Sequence, residues 1–259
     1  MTAFPSPGAP DKIAPRNAEL ARIMRATLDS LDIALLGIPY DGALTNRPGA
    51  RHGPREVRNA SSMMRAINHA TRVNPYELCR VADVGDVRFV SVFDIEKSHA
   101  DIRQFIEMLG GAGVVPLACG GDHSVTLPIL RAVANAPLGL IHIDAHTDTW
   151  DSFQGSKFNH GAPFRRAHEE GLIAPRRTVQ IGIRGAQNVS DGWDYSANAG
   201  MRVMFMEEVQ ARGIDAIVEE ARKVIGVGPV YLSFDIDSID PAFAPGTGTP
   251  EIAGLSTAA

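Results

Sequence analysis

The chain has 259 residues, and 25 basic against 30 acidic side chains give it a formal charge of -5, with 44% hydrophobic and 21% charged residues. That balance excludes a generally disordered or coiled-coil chain, and a negative surface without basic runs argues against nucleic acid as a partner. The length accommodates one large domain or two small ones. Cys79 and Cys119 are the only cysteines, so neither a disulfide framework nor a cysteine-built zinc site is expected, and a reducing compartment is the simpler setting. The opening MTAFPSPGAPDKIAP lacks the basic start and apolar core of a signal peptide. No apolar run approaches the roughly 18 residues of a spanning helix, so a cytoplasmic protein without a membrane partner is expected.

In chain order, Asp32 to Ile38 (DIALLGI) predicts a strand that runs into the loop PYDGALTNRPGARHGP, where repeated Gly and Pro demand turns. REVRNASSMMRAI has helical spacing, CRVADVGDV reads as a short strand ending in an acidic turn, and Asp94 to Gly110 forms an amphipathic helix. VVPLACGG is the next strand; SVTLPILRAVANA follows as a helix whose proline falls early enough to be tolerated. Leu138 to Asp144 predicts a buried strand, Ala162 to Glu170 a helix and TVQIGIRG another strand. MRVMFM then leads into EEVQARGIDAIVEEARKVIG, a helix by its charges and apolar positions, and VYLSFDIDSIDP supplies the last strand and turn. At least six strands alternate with helices and no polar linker interrupts them, which predicts one open α/β domain with a mostly parallel sheet. There is no GxGxxG after the first strand and no GxxxxGK[ST] loop, and LGGAG precedes a strand as a helix-to-strand connection, so a dinucleotide site is disfavoured.

Three motifs carry chemistry. In HIDAHTD, His142, Asp144, His146 and Asp148 recur every second residue, a period that turns all four to one face of a strand while Ile143 and Ala145 turn to the other. A buried carboxylate–histidine network is one reading, but like charges converging in low dielectric are costly without cations, so metal binding is the stronger one. In SFDIDSIDP, Asp235 and Asp237 share one strand face and can chelate or bridge metals, whereas Asp240 precedes Pro241 and suits a turn or supporting hydrogen bond. In CGGDHS the glycines allow close backbone approach, Asp122 can orient the turn, and His123 can reach the C-terminal edge of the sheet as a ligand.

The ordered set CGGDHS, HIDAHTD and SFDIDSIDP resembles the ureohydrolase (arginase/agmatinase) family, and the resemblance runs from LGIPYD and RPGARHGP to PGTGTPEIAGLS. It implies a three-layer α/β/α arginase-like fold over residues 1–259 and a centre of two Mn2+ ions. His123 and His146 would be the imidazole ligands, with Asp144, Asp148, Asp235 and Asp237 as carboxylate ligands. Asp144 and Asp235 would bridge; His123 and Asp148 would complete one metal's shell, His146 and Asp237 the other's. His142 resembles a variable or supporting position. Four carboxylates match the charge of two divalent ions, which activate water for attack on a planar guanidino carbon, and oxygen-rich ligands suit manganese. Asp148 is expected to orient that water and assist proton movement, and His160 in NHGAPFRR to pass a proton to the leaving amine.

The implied reaction is hydrolysis of a linear guanidino compound to urea and an amine. HGAPFRRA and RPGARHGP resemble agmatinase-like members, which makes agmatine the first expectation. Carboxylate-tailed 4-guanidinobutyrate or 3-guanidinopropionate, and metal binding without turnover, are the alternatives. Lys157, Arg47, Arg51 and Arg55 are candidates for recognising an acidic tail, and Trp150 for a pocket wall. The resemblance further implies a homotrimer or homohexamer. Family chains continue past the GTGTP region through another strand and terminal helices that contribute a guanidinium-binding glutamate, so a chain apparently lacking that end of the fold is expected.

Overall fold

A computed structural model describes Leu28 and residues 30–258; the N-terminal stretch weighed as a signal sequence lies outside the described residues. The chain alternates β1 (Ile33–Gly37), α1 (Gly53–Ser61), α2 (Pro75–Leu78), β2 (Val81–Asp86), α3 (Ile95–Gly110), β3 (Val115–Cys119), α4 (Thr126–Val133) and β4 (Leu138–Ile143). It continues through α5 (Pro163–Glu169), β5 (Ile173–Ile183), α6 (Asp194–Ala199), β6 (Arg202–Phe205), α7 (Met206–Arg212), α8 (Ile214–Ile225) and β7 (Val230–Phe234). Among the described residues, every pairing between these strands is parallel.

The layers follow from alternation along β4. Leu138 and Leu140 pack with Leu130, Phe164, Ala167 and Ile173 on one face, while Ile141 and Ile143 join Val179, Met204, Val209 and Ile217 on the other. Both faces therefore need helical cover, which α4 and α5 supply on one side and α7 and α8 on the other. The helix α3 begins where the Asp94 side chain accepts a bond from the Lys97 N–H at 3.2 Å. It buries Ile102, Ile106 and Leu109 completely against β1, and each contributes roughly 1.5–3 kcal/mol through burial. The result is the α/β/α fold.

The details depart from expectation most plainly as follows. The strands divide into two sheets, ordered β2-β1-β3 and β6-β5-β4-β7, and β3 and β7 share no ladder among the described residues. Leu117 on β3 and Leu232 on β7 stay about 60% exposed, 58% and 63% respectively. The helix expected over 207–226 breaks into α7 and α8, because Gly213 takes φ 80°, a conformation that ends one helix and starts the next. The strand expected from Thr178 begins five residues earlier, at Ile173, with a register irregularity opposite Leu138 to Leu140. Among the described residues no helix is long and apolar enough to cross a membrane.

Candidate metal centre

The centre is built where β3, β4 and β7 end at their C-terminal edges, the position at which open parallel sheets expose loop residues to a ligand. After β3, the chain turns back against the loop that follows β1: Gly121 N–H donates to the Ile38 carbonyl at 3.0 Å and Asp122 N–H to the Tyr40 carbonyl at 2.8 Å. A β-carbon on Gly121 would collide with the Tyr40 carbonyl, so the approach requires glycine. The Asp122 carboxylate accepts from Ala43 N–H and Ser124 N–H, both at 2.9 Å, and orients the turn as its place in CGGDHS implied. His123 is thereby aimed inward. Its Nε2 is bonded to Ser233 Oγ on β7 at 2.7 Å, which leaves Nδ1 facing Asp148 at 2.8 Å, Asp144 at 3.1 Å and Asp235 at 3.4 Å.

The ligand-rich motifs lie just past the strands rather than on them. β4 ends at Ile143, so of the four polar residues in HIDAHTD only His142 keeps strand phase. Asp144 folds back to accept the His146 N–H at 2.7 Å, and Asp148 adopts φ 49°, a left-handed conformation that costs a non-glycine residue energy and clusters at functional sites. Likewise β7 ends at Phe234; Asp235 opens a short 3-10 turn by accepting the Asp237 N–H at 2.9 Å. Simple alternation along the strands therefore does not describe how these side chains converge; the turns do. Asp237 closes the second group, 3.0 Å from His146 Nδ1, while its other oxygen accepts the Ala145 N–H at 3.1 Å.

Two donor groups result, His123 with His142, Asp144 and Asp148, and Asp144 with His146 and Asp237, each with its ligand atoms within 4.8 Å of one another. Asp144 belongs to both, and Asp235 approaches the first through His123. Burial and the neighbouring Asp144 and Asp237 charges push the Asp235 carboxyl up to about 8, and burial with Asp144 pushes Asp237 up to about 6. Burial opposes a charge on His146, yet Asp144 and Asp237 drive its imidazole up to about 12; His123 is likewise raised by Asp144 and Asp148 against the cost of burial. Burial also penalises ionised Asp144, but His142, His123 and His146 hold it well below the usual carboxylate range. Such a crowded set of buried carboxylates and imidazoles is the kind that divalent cations satisfy by taking the place of protons. The buried His123 Nδ1 makes no well-formed hydrogen bond despite three carboxylates around it. An imidazole–carboxylate set without thiolate fits manganese.

His142 has both ring nitrogens spent inside the protein, on Asp144 at 2.7 Å and on Gln180 at 3.0 Å, so it supports Asp144. Gln180, which none of the sequence motifs marks, also donates to the Thr147 carbonyl at 2.7 Å. Two further residues outside the three motifs join the centre: Thr249, bonded to Asp237 at 3.2 Å, and Glu251, 3.4 Å from His146 Nε2. Both sit in the quoted PGTGTPEIAGLS, whose polar residues were the available signal; for Gln180, inside an apolar strand, an amide on a buried face was the only hint.

A cavity of about 350 Å³ opens over the centre, lined by His146, Asp148, Trp150, His160, Arg47 and Glu251 among others. His160 Nε2 is bonded to Thr45 Oγ1 at 2.7 Å, and Trp150 forms a wall, tethered through its Nε1 to Gln187 at 2.9 Å. Lys157 is not part of the lining. Arg51 pairs with Asp41, Arg55 pairs with Glu56, and Asp240 accepts Ala242 N–H and Gly254 N–H in a turn.

The sequence model of the Arginase family matches residues 31–259. A guanidinopropionase from Pseudomonas aeruginosa is 51% identical over 249 residues, covering 94% of this chain and 78% of that protein. A mitochondrial agmatinase from Gallus gallus is 47% identical, covering 90% of this chain and 69% of that protein. The solved structure of proclavaminate amidino hydrolase from Streptomyces clavuligerus superposes with a TM-score of 0.83 at 40% identity, over 87% of this chain and 75% of that one. From its motifs, its fold and these likenesses, the chain belongs to the arginase family.

Proposed function

We propose that the chain is a metal-dependent ureohydrolase that cleaves a linear guanidino compound to urea and an amine. The observation that carries this reading is the convergence of His123, Asp144, Asp148, Asp235, His146 and Asp237 from three strand ends onto one floor beneath a cavity. In this reading those six residues would hold two manganese ions. Bound there, the ions supply Lewis-acid activation of water for attack on the guanidino carbon.

The chain's own residues do the remaining work. Asp148, held in its left-handed turn at the cavity, orients the attacking water and accepts its proton. The carboxylate floor and Glu251 favour the guanidinium end of a substrate at the bottom of the cavity. His160, its ring fixed by the Thr45 hydroxyl, delivers a proton to the departing nitrogen as the carbon–nitrogen bond breaks, so that urea and a neutral or protonated amine leave. Trp150 covers one side and limits water.

The test is urea release from agmatine, 3-guanidinopropionate, 4-guanidinobutyrate and arginine by manganese-loaded protein, alongside His146→Ala. Urea from at least one compound, lost in the variant together with manganese, is the expected result. Full manganese occupancy without urea from any of the four would leave metal binding without turnover as the better reading.

A further inference from the structure

The GIRG end of β5 takes no part in the proposed chemistry, yet it lies against all three residues of the second donor group, Asp144, His146 and Asp237. A β-carbon on Gly182 would sit 3.2 Å from the Asp144 carbonyl oxygen, and one on Gly185 would collide with the His146 ring. Between these glycines, the Arg184 and Gly185 N–H groups both donate to the Ala145 carbonyl, at 2.9 and 2.8 Å. The Arg184 guanidinium reaches the third residue, its Nη2 donating to the Asp237 carbonyl at 2.7 Å. The same Nη2 donates to the Glu251 carbonyl at 2.8 Å, Nε to the Ile252 carbonyl at 2.9 Å and Nη1 to the Gly182 carbonyl at 3.3 Å. Arg184 is half-buried and forms no ion pair among the described residues. A guanidinium whose donors all go to carbonyls fixes backbone rather than balancing a neighbouring charge.

The backbone it fixes belongs to residues 249–255, which close one side of the centre: Thr249 bonds Asp237, and Glu251 stands beside His146 in the cavity wall. Directly after the two carbonyls that Arg184 holds, Ala253 takes φ 61°, a left-handed conformation that an alanine adopts only at an energetic cost. The segment then returns to the turn after β7, where Gly254 N–H donates to the Asp240 carboxylate at 3.1 Å and Leu255 N–H to the Ser238 carbonyl at 2.9 Å. Removing the guanidinium therefore frees the Asp237 backbone and the strained segment together. We propose that Arg184 is a positioning residue that links manganese binding at the second donor group to the order of residues 249–255. Linkage is reciprocal: an ion that needs Asp237 in place steadies the segment, and an ordered segment favours that ion. The first donor group depends on His123 and Asp148, which Arg184 does not touch. This rests on the metal-dependent reading above.

The experiment compares wild type, Arg184→Met, Arg184→Lys and Arg177→Met, each as full chain. Calorimetric titration of metal-free protein with manganese reads the affinity of each ion, and amide hydrogen exchange with and without manganese reads the segment at Gly254 and Leu255. In wild type, manganese slows exchange at both amides. In Arg184→Met, one ion is expected to lose roughly 10- to 100-fold in affinity while the other keeps its own, and exchange at Gly254 and Leu255 becomes fast and indifferent to manganese. The Gly121 and Asp122 amides, beside His123, keep their wild-type exchange. Arg184→Lys retains the charge without the planar fork and recovers part of the loss; it decides the matter where Arg184→Met does not fold. Arg177, also on β5, donates to the Ile225 and Pro229 carbonyls away from the centre. Arg177→Met therefore melts lower but keeps wild-type manganese binding, which separates positioning from general stability. Equal affinities of both ions in wild type and Arg184→Met, a matching loss in Arg177→Met, or segment exchange that still slows on loading overturns the role of Arg184, while urea release by wild type still upholds the hydrolase. Linkage without urea from any guanidino compound upholds Arg184 and overturns the hydrolase reading alone.

Discussion

His142 offers a sharp test of how the centre is held. It touches no substrate space: it is fully buried, with its Nε2 on Asp144 Oδ2 at 2.7 Å, its Nδ1 against Gln180 and the Phe164 ring packed on it at 4.2 Å. Asp144 is the carboxylate common to both donor groups, so its orientation sets both. Removing the imidazole strips a buried carboxylate of a charge-assisted hydrogen bond worth about 1.5–3 kcal/mol, equivalent to roughly 10- to 100-fold in an equilibrium constant. His142→Ala is therefore expected to weaken manganese binding by about that factor. His142→Gln, which keeps a donor and much of the volume, is expected to recover part of the loss. Calorimetric titration of metal-free protein with manganese reads the affinity, and thermal melts of the same metal-free samples separate a loosened fold from a loosened ligand. Manganese affinity unchanged in both variants would refute the claim that His142 positions Asp144.

Other consequences lie nearby. Burial, with the Arg131 charge adding to it, holds the His99 imidazole down to about 4 against its ordinary 6.5. A depressed folded-state value means that its stabilising effect is complete above pH 6.5 and is lost as pH falls toward 4, a total of about 3 kcal/mol; denaturant melts across that window should show a shallower acid loss in His99→Leu, and parallel curves would count against it. Gly121→Ala forces a β-carbon into the Tyr40 carbonyl and is expected to destabilise the chain by at least about 1–3 kcal/mol and to misplace His123. Wild-type melting and manganese affinity in that variant would contradict the packing argument. Thr45→Val removes the hydroxyl that fixes His160 and should lower kcat roughly tenfold with little change in KM, with recovery in Thr45→Ser; a KM effect alone would show that Thr45 serves binding instead.

The chemistry of the centre was more legible than its geometry. Histidine and aspartate in HIDAHTD, CGGDHS and SFDIDSIDP announce ligands because so many buried charges have no other inexpensive explanation. Alternation every second residue puts them on strand faces, whereas Asp144, His146, Asp148, Asp235 and Asp237 occupy turns beyond the last ladder bonds. No local pattern signals the left-handed backbone of Asp148, whose carbonyl accepts the Phe164 N–H at 3.1 Å. Supporting contacts were hidden for a similar reason. Gln180 reaches His142 across 38 positions and Thr45 reaches His160 across 115, distances over which only tertiary packing decides. The α/β alternation itself was readable from apolar runs and turn residues, but the break at Gly213 was masked by helix-favouring neighbours on both sides. The division into two sheets depends on edge pairing, which hydrophobicity does not encode.

The most direct measurement of the central claim is anomalous X-ray diffraction at the manganese absorption edge from crystals of the manganese-loaded chain. Two peaks are predicted, one among His123, Asp144, Asp148 and Asp235 and the other among Asp144, His146, Asp235 and Asp237. A single peak, or manganese bound away from these residues, would contradict the two-metal centre on which the proposed function depends.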